Sequence, residues 1–355
     1  MRVLQVIDSL SIGGAEVLAV NIANGLSEKK IDSHICVTRV EGELKENINS
    51  SVGYIYLNRK KSIEIKAIKK LKRYVKEHKI EIIHTHNTSI FFIFCFSFFI
   101  KNVNFIWHNH TGDYVNLKGL KFIFIKWFSF IYSKIICVNE DLNTWSLNKL
   151  NHKNSIKLNN FPEFVDTSKK TILRGKIGNK IVCLAALRPE KDHINLLKAF
   201  YINYAKYPNW TLHLVGKDYN DNYSKKIKQF ITSNKLDYNV FIYDLQRDIK
   251  NILLQSNIGV LQSKNEGLPI SILEYGLAKL PVVVTDVGEC KKIVKHQKSG
   301  LIVDRENSLQ LALALEELIL SKEKRIYFGK NHQKNITEKY SKDIFFKKLL
   351  KIYTS

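Results

Sequence analysis

Residues 265–286 read NEGLPISILEYGLAKLPVVVTD. In this stretch a polar loop leads into a short helical pattern, which is followed by the apolar run PVVV. Pro269 suits the first position of the helix, because a residue there needs no amide donor. A loop, a helix and a buried strand in this order are typical of βαβ units, in which helices connect parallel strands. The stretch therefore predicts an α/β fold.

The same alternation of apolar runs and amphipathic helical stretches continues to both ends of the chain. It predicts two doubly wound parallel sheets with helices on both faces. A length of 355 residues also suits two domains. We expect the strands of the first sheet at 3–7, 34–40, 54–57, 80–84, 105–108, 134–138 and 155–158. We expect those of the second at 181–187, 211–215, 240–243, 258–261, 282–285 and 301–303.

We place the domain boundary after Pro162. Residues 1–162 then form the N-terminal domain, and residues 163–335 form the C-terminal domain. Residues 336–355 form a C-terminal helix, whose stretch IFFKKLLKIY is amphipathic enough to pack back on the N-terminal domain.

The composition is strongly basic, with 56 Lys and Arg against 33 Asp and Glu and a net charge of +23. Such a charge indicates an anionic partner: nucleic acid, acidic lipid or a phosphorylated small molecule. A general preference for lysine in a Lys/Asn/Ile-rich sequence explains it equally well. The five cysteines are scattered without a CxxC pair, and the N-terminus lacks a signal-peptide pattern. We therefore expect a cytoplasmic protein with reduced thiols.

Two segments are unusually aromatic. The first, IFFIFCFSFFI at 90–100, is shorter than the roughly 20 residues that a membrane-spanning helix needs, so we expect a buried helix. The second, KFIFIKWFSFIYSK at 121–134, places Lys121, Lys126 and Lys134 among Phe, Trp and Tyr at helical spacing. This pattern suits the headgroup layer of an anionic membrane, although packing inside the protein is an equal alternative.

Two segments place small or cationic residues just after predicted strands, where open α/β sheets bind ligands. The turn DSLSIGGAE has Gly13 and Gly14 at the start of a helix, so backbone amides can approach a phosphate. It does not match G-x-G-x-x-G, which argues against a dinucleotide dehydrogenase. In CLAALRPEKDHINLLKAF, Arg188 and Lys191 can neutralise a diphosphate. A ligand-free turn and solvated loop cations are the alternatives.

The stretch at 265–286 contains a further set of candidate ligand-binding groups. Backbone amides at the start of its helix suit a phosphate, although Pro269 itself has no N–H. Glu274 lies about one and a half turns inside the helix and can reach a ribose diol, whereas Glu266 can reach sugar hydroxyls or merely cap the helix. The candidate residues here are Glu266, Gly267, Leu268, Pro269, Ile270 and Glu274.

Two His-x-His strings lie at strand ends, HTH at 84–86 and HNH at 108–110. Residues two apart on a strand share a face, as metal ligands require. A zinc site would need a further ligand, and Asp113 is the only carboxylate close in sequence. We therefore expect no metal.

Several motifs occur in one order along nearly the entire chain: GGAE, IIHTHN, LRPEKDHINLLKAF, LVGKD, the Glu266 and Glu274 pair, and TDVGECKKIVKHQKSGLIVD. In this they resemble the retaining glycosyltransferases of family 4, which have the GT-B fold. The resemblance implies two Rossmann-like domains facing each other across a cleft. It also implies transfer of a sugar from a nucleotide donor with retention of anomeric configuration. Residues 1–162 would bind the acceptor and residues 163–335 the nucleotide sugar.

The resemblance also assigns roles. Arg188 and Lys191 would hold the diphosphate, Glu266 the donor sugar and Glu274 the ribose, while Gly14 would approach the phosphates. The acceptor side would be lined by His110, or else by His108 or His86. Lys191, Arg188, Glu266 and His110 are the implied catalytic residues. The nucleotide sugar is a substrate, with UDP favoured over GDP, and no cofactor is expected.

Three positions depart from the family pattern. The arginine stands one residue later than usual, at Arg188, which makes Lys191 a firmer assignment than Arg188. Lys292 replaces an acidic residue, and Tyr243 or Asp244 stands where a glycine is often found; these two departures bear on the contacts to the nucleobase.

The implied acceptor is a glycan or a lipid-linked glycan of cell-envelope polysaccharide synthesis. The enzyme would then work in the cytoplasm, at the inner face of the cell membrane. One alternative is a sugar-nucleotide epimerase or another GT-B enzyme. A basic nucleic-acid-binding protein is a second alternative, but the sequence lacks a reader motif, and we expect no nucleic-acid partner.

Overall fold

The computed structural model describes residues 1–110, 112–164 and 170–355. Contacts divide the chain into two compact units. The first unit comprises Met1–Asn160 and Asp343–Ser355, and the second unit comprises Phe161–Lys342. The division thus falls two residues before the expected boundary, and the terminal segment of the first unit is shorter than the expected 336–355.

The first unit is built on a seven-stranded parallel sheet with the order β3-β2-β1-β4-β5-β6-β7. Its strands are β1 (Arg2–Ser9), β2 (Asp32–Val40), β3 (Gly53–Tyr56), β4 (Ile82–His86), β5 (Asn104–Asn109), β6 (Lys134–Cys137) and β7 (Ser155–Lys157). Its helices are α1 (Gly14–Glu28), α2 (Ile65–Glu77), α3 (Ile90–Ser97), α4 (Gly119–Ser129) and α5 (Glu140–Asn148). The chain reverses its direction of winding between β1 and β4, which pair in the middle of the sheet.

The second unit has a six-stranded parallel sheet with the order β10-β9-β8-β11-β12-β13. Its strands are β8 (Lys180–Leu184), β9 (Thr211–Val215), β10 (Val240–Tyr243), β11 (Ile258–Leu261), β12 (Val282–Thr285) and β13 (Gly300–Val303). Its helices are α6 (His193–Tyr204), α7 (Asn222–Ser233), α8 (Ile249–Leu254), α9 (Ile270–Leu277), α10 (Cys290–Ile293), α11 (Ser308–Leu320) and α12 (Lys322–Lys339). Here the chain reverses its direction of winding between β8 and β11, and this position is the switch point of the sheet.

These two sheets confirm the predicted fold class, an α/β protein with two Rossmann-like, doubly wound parallel sheets. The apolar runs predicted as strands are buried on both faces, as in β11, where all four residues are buried. The last helix, α13 (Lys342–Thr354), packs in the first unit. It needs Gly25 in α1, because a Cβ there would lie 2.2 Å from the Phe346 ring.

The structure corrects three local expectations. Pro269 precedes α9 as its cap residue, with extended backbone, so the helix begins at Ile270. The basic and aromatic segment at 121–134 is not one helix, because α4 ends at Ser129 and Lys134 begins β6. Lys134 is buried and donates hydrogen bonds to the Ile352 carbonyl and the Ser355 hydroxyl.

The aromatic segment at 90–100 forms the eight-residue helix α3, which packs in the core of the first unit. Among the described residues, no helix is both long and apolar enough to cross a bilayer.

Candidate active site

The switch point of the second sheet brings together two loops that are far apart in sequence. β8 and β11 are neighbours, with Ile181 opposite Ile258, so the loops after both strands leave the same edge of the sheet. The loop after β8 contains the 3-10 turn Pro189–Lys191, and the loop after β11 contains Glu266. This topology explains why residues 75 positions apart come into contact.

Lys191 and Glu266 form an ion pair at this point. The Lys191 Nζ donates to Glu266 Oε1 at 2.6 Å, and the Ser263 hydroxyl donates to the same oxygen at 2.6 Å. The Glu266 side chain is 9% exposed and that of Lys191 is 24% exposed. A partly buried pair of this kind is screened less by solvent than a surface pair. The structure thus joins two residues to which the sequence assigned separate roles.

The backbone around the ion pair is fixed by contacts between three loops. The buried Gln262 amide donates to the Lys191 carbonyl at 2.5 Å, and the Lys264 amide donates to the Glu190 carbonyl at 2.8 Å. Gly288, in the loop after β12, has φ +50, and a Cβ there would lie 2.1 Å from the Glu266 carbonyl oxygen. Only glycine combines this conformation with so close an approach. These contacts therefore hold in place the backbone that carries the ion pair.

Arg188 lies in the same loop as Lys191 but has other partners. Its guanidinium donates to the Tyr219 hydroxyl at 2.5 Å and lies 4.9 Å from the centre of that ring. Glu190 is 3.9 Å away, and the Arg188 side chain is half exposed. The structure therefore links Arg188 to Tyr219 rather than to the Lys191–Glu266 pair.

Helix α9 begins four residues after Glu266. The first amides of a helix have no partner within it, so those of Ile270 and the next two residues point out of the helix start. Gly267 holds the preceding loop by accepting a hydrogen bond from the Glu289 amide at 3.1 Å, and Leu268 is buried. These positions can present amide donors to an anion, as expected for Gly267, Leu268 and Ile270.

Glu274 lies further along α9 and is partly buried. Burial raises the pKa of its carboxyl to about 7. Within 1–110, 112–164 and 170–355, no hydrogen bond or ion pair reaches this carboxylate. Its neighbour Tyr275 anchors the helix, because the Tyr275 hydroxyl accepts from the Leu184 amide at 2.7 Å. Glu274 is therefore held in position while its own oxygens remain available for a ligand.

At the glycine turn of the first unit, an acidic side chain lies over the start of α1. Helix α1 begins at Gly14, and a Cβ at Gly14 would meet nothing within 4 Å. The carboxylate of Glu16 folds back over the turn, since a Cβ at Gly13 would lie 2.4 Å from its Oε2. Burial raises the pKa of Glu16, although a hydrogen bond from its own amide lowers it. An anion at this helix start would compete with Glu16.

His84, His86 and His108 lie on one face of β4 and β5, where His86 stands opposite His108, and His110 follows the end of β5. The His86 Nδ1 is 3.0 Å from His110 Nε2, and its Nε2 is 2.9 Å from the Gln5 oxygen. The Nδ1 of His84 is 2.6 Å from the hydroxyl of Tyr353 in α13.

Burial lowers the pKa of His84 and His110 to about 3, and lowers those of His86 and His108 well below the usual value. All four rings are therefore neutral at pH 7.

Three of these histidines could hold a metal ion, since one ring nitrogen each of His84, His86 and His108 lies within 4.8 Å of the others. Both ring nitrogens of His86 already have partners, however, and the rings of His84 and His108 are stacked with an interplanar angle of 11°. Stacked rings do not aim their nitrogens at one point, as a tetrahedral ion requires. The side chain of Asp113 lies outside the described residues.

Five contacting residues were not predicted from the sequence. Ser263 stands three residues before Glu266 in the loop after β11, and this short separation is its only local signal. Gln262 precedes it in the same loop and contacts Lys191, and Tyr219 contacts Arg188. Gln5 and Tyr353 contact histidines of the first unit. The sequence carries no local signal for these four contacts.

Comparison with known families and structures supports the fold and the class of protein. Residues 165–335 match the family model described as Glycosyl transferases group 1, and residues 12–158 match the model described as Glycosyltransferase Family 4. Among solved structures, Anabaena HepE in complex with UDP and glucose aligns with a TM-score of 0.83, at 19% identity and over 100% of both chains. The two parallel-sheet units therefore define a protein of the GT-B fold.

The curated relatives indicate the activity. An uncharacterized glycosyltransferase of Haemophilus influenzae is 24% identical over 319 residues, which are 87% of each chain. The UDP-Gal:alpha-D-GlcNAc-diphosphoundecaprenol alpha-1,3-galactosyltransferase of Escherichia coli is 24% identical over 262 residues, 68% of this chain and 67% of that protein. The chain is a glycosyltransferase. This supports the transferase over the first alternative, a sugar-nucleotide epimerase or another GT-B enzyme.

Proposed function

We propose that the protein transfers a sugar from a UDP-sugar to a lipid-linked glycan with retention of anomeric configuration, as family 4 enzymes do. The ion pair of Lys191 and Glu266 is the observation that carries this proposal. We assign donor binding to the second unit and acceptor binding to the first.

Lys191 and Glu266 can bind the groups on either side of the bond between the sugar and the diphosphate, which breaks in the reaction. Because their charged atoms are 2.6 Å apart, they can reach adjacent groups of one ligand, the β-phosphate and a sugar hydroxyl. The ammonium then stabilises the negative charge that grows on the leaving diphosphate, and the carboxylate accepts from the sugar. Arg188 and the amides at the start of α9 add positive potential, and Glu274 accepts from the ribose.

Retention and the acceptor are supported by a relative. The E. coli enzyme uses UDP-Gal and makes an alpha-1,3 linkage to a diphosphoundecaprenol-linked sugar. Galactose is α-linked in UDP-Gal, so that product keeps the configuration. We propose the same outcome here, with attack from the face of the leaving group and an acceptor from cell-envelope polysaccharide synthesis. The neutral imidazole of His110, or else of His108 or His86, would accept from the incoming hydroxyl.

We further propose a cytoplasmic location at the membrane periphery. The five cysteines are all unpaired and four are buried, which suits a reducing compartment.

A thermal-shift screen with UDP, GDP and their sugars tests the donor site. A ligand at about 100 times its Kd stabilises the native state by roughly 2.7 kcal/mol, which raises Tm by roughly 5–10 °C for a unit of this size. We expect UDP and UDP-sugars to give this shift and GDP to give little. A shift with GDP alone would reverse the choice of base. No shift with any of them would count against the donor site.

We expect turnover without an added metal, because Lys191 and Arg188 already neutralise the diphosphate. Activity after treatment with EDTA should equal that of the untreated enzyme, and elemental analysis should find no stoichiometric metal. Activity that is lost in EDTA and restored by Mg²⁺ or Mn²⁺ would show that the cations do not suffice. Stoichiometric zinc would instead point to the histidines of β4 and β5.

A further inference from the structure

Helix α4 presents a row of large apolar side chains to solvent. They recur at helical spacing of three and four residues, so they form one stripe. Trp127 is 70% exposed, and Phe130, just after the helix, is 88% exposed. Side chains of this size rarely stand together at the surface of a monomeric protein without a partner. The exposed members of the stripe are Leu120, Ile123, Phe124, Trp127 and Phe130.

The opposite side of α4 holds the helix in the first unit. Phe122, Ile125 and Phe128 pack against the core. At about 100° per residue, Lys126 falls on one border between the packed side and the exposed stripe, and Lys121 falls beside Phe128, next to the other border. Both lysines are exposed, as is Lys118 just before the helix. The helix therefore presents an apolar stripe with one lysine near each border.

The end of α3 extends the same surface. Phe98 is 72% exposed, and its ring contacts that of Phe94 at 5.2 Å. Phe94 contacts Phe128 at 5.0 Å, and Phe128 stacks with Phe124 at 6.0 Å. This chain of rings joins the two exposed apolar areas. We call them together the α4 surface: residues 98–99, 118–127 and Phe130.

A pocket deepens the α4 surface between α3 and α4. It has a volume of about 360 Å³, within the usual range for small-molecule pockets. Phe91, Leu117, Phe124 and Phe128 line it with apolar atoms, and Lys121 is its one charged lining residue. The pocket adds apolar area that a hydrocarbon chain can cover.

The charge of the α4 surface favours anionic lipid over a second copy of the chain as its partner. Residues 90–104 and 117–135 contain no Asp or Glu. A second copy of the chain would bring Lys118, Lys121 and Lys126 against their own counterparts, which costs energy through like-charge repulsion. Anionic lipid headgroups complement these lysines, and the apolar stripe suits the boundary between headgroups and acyl chains.

We propose that the α4 surface binds an anionic membrane, with α4 in the plane of the headgroup layer and its apolar stripe inserted. Lys118, Lys121 and Lys126 contact the headgroups. Lys134, which the sequence pattern had included, takes no part because it is buried beside Ile352. The proposal does not depend on the donor or the acceptor assigned above.

Co-sedimentation of the full chain with phosphatidylcholine vesicles, with and without phosphatidylglycerol, tests the proposal. We expect at least tenfold stronger binding when phosphatidylglycerol is present. The triple variant Leu120→Ser, Trp127→Ser and Phe130→Ser should lose binding to both kinds of vesicle by at least tenfold. The triple variant Lys118→Glu, Lys121→Glu and Lys126→Glu should lose the preference for phosphatidylglycerol.

Matched controls come from exposed positions of the second unit. The apolar control is Tyr238→Ser, Leu254→Ser and Leu320→Ser, and the charge control is Lys225→Glu, Lys226→Glu and Lys330→Glu. Both should bind vesicles like the wild type. The Tm of each variant, with and without UDP, reports separately on folding and on the donor site.

Fluorescence gives a second measurement. Brominated lipids should quench the wild type more than Trp127→Phe, because Trp127 would lie among the acyl chains. Three results would overturn the proposal: no preference of the wild type for anionic vesicles, wild-type binding by both α4 variants, or equal quenching of Trp127→Phe. A change of oligomeric state in the α4 variants would instead assign the surface to a second copy.

Discussion

Replacing Lys191 with alanine should lower kcat by roughly a hundredfold or more, with a smaller change in the donor KM. The ammonium acts on charge that grows as the bond to the diphosphate breaks, so its loss affects the transition state more than the bound substrate. Steady-state kinetics with the donor found by the thermal-shift screen measures both constants.

Lys264→Ala is the matched control for this variant. Lys264 also pairs with a glutamate, Glu306, at 2.5 Å, but both side chains are exposed. We expect wild-type kinetics for this control, since exposed ion pairs contribute little. If Lys191→Ala turned over at the wild-type rate, the proposed active site would be wrong.

Replacing Glu274 with glutamine should raise the donor KM by about tenfold at pH 8 and leave kcat nearly unchanged. Contacts to the ribose are equal in the ground state and the transition state, so they contribute to binding alone. The ionised carboxylate accepts hydrogen bonds more strongly than the neutral acid. Since burial raises the pKa of Glu274 to about 7, donor affinity of the wild type should increase as the pH rises through 7.

The stability of the ligand-free protein should change in the opposite direction. Glu274 has its pKa raised to about 7 from an ordinary value of 4.5, so the folded state keeps a proton that the unfolded state releases. This contribution to stability is therefore lost as the pH rises from about 5 to about 7. Glu274→Gln should lack the decline, whereas Glu338→Gln, at an exposed position in α12, should keep it. Equal Tm profiles for wild type and Glu274→Gln would contradict the assignment.

Much of the fold follows from hydrophobic pattern alone, because strands of parallel sheets are continuous apolar runs. Thr211–Val215, Val240–Tyr243, Ile258–Leu261 and Val282–Thr285 have the same bounds as predicted. The prediction for β4 was two residues early, at 80–84 instead of Ile82–His86. Its start depends on pairing with Val3 in β1, which a local pattern does not contain.

The site was predictable in its location but not in its contacts. Strand order places the loops of Lys191 and Glu266 at one edge, yet nothing local indicates that these two side chains pair with each other. Lys134 shows the opposite error, because helical spacing grouped it with Lys126 at the membrane, although the strand predicted at 134–138 already included it. The helix ends at Ser129, and the chain turns into β6.

The first unit is discontinuous along the chain, and this has a consequence for folding during synthesis. Its sheet leaves the ribosome early, but α13, whose Tyr353 contacts His84, emerges only after the whole second unit. Domains tend to fold as soon as their residues are available. The second unit can therefore fold before the first unit is complete. Until α13 is synthesised, the polar face with Gln5 and His84 remains uncovered. A nascent chain arrested before Phe346 should hence expose this face to chaperones.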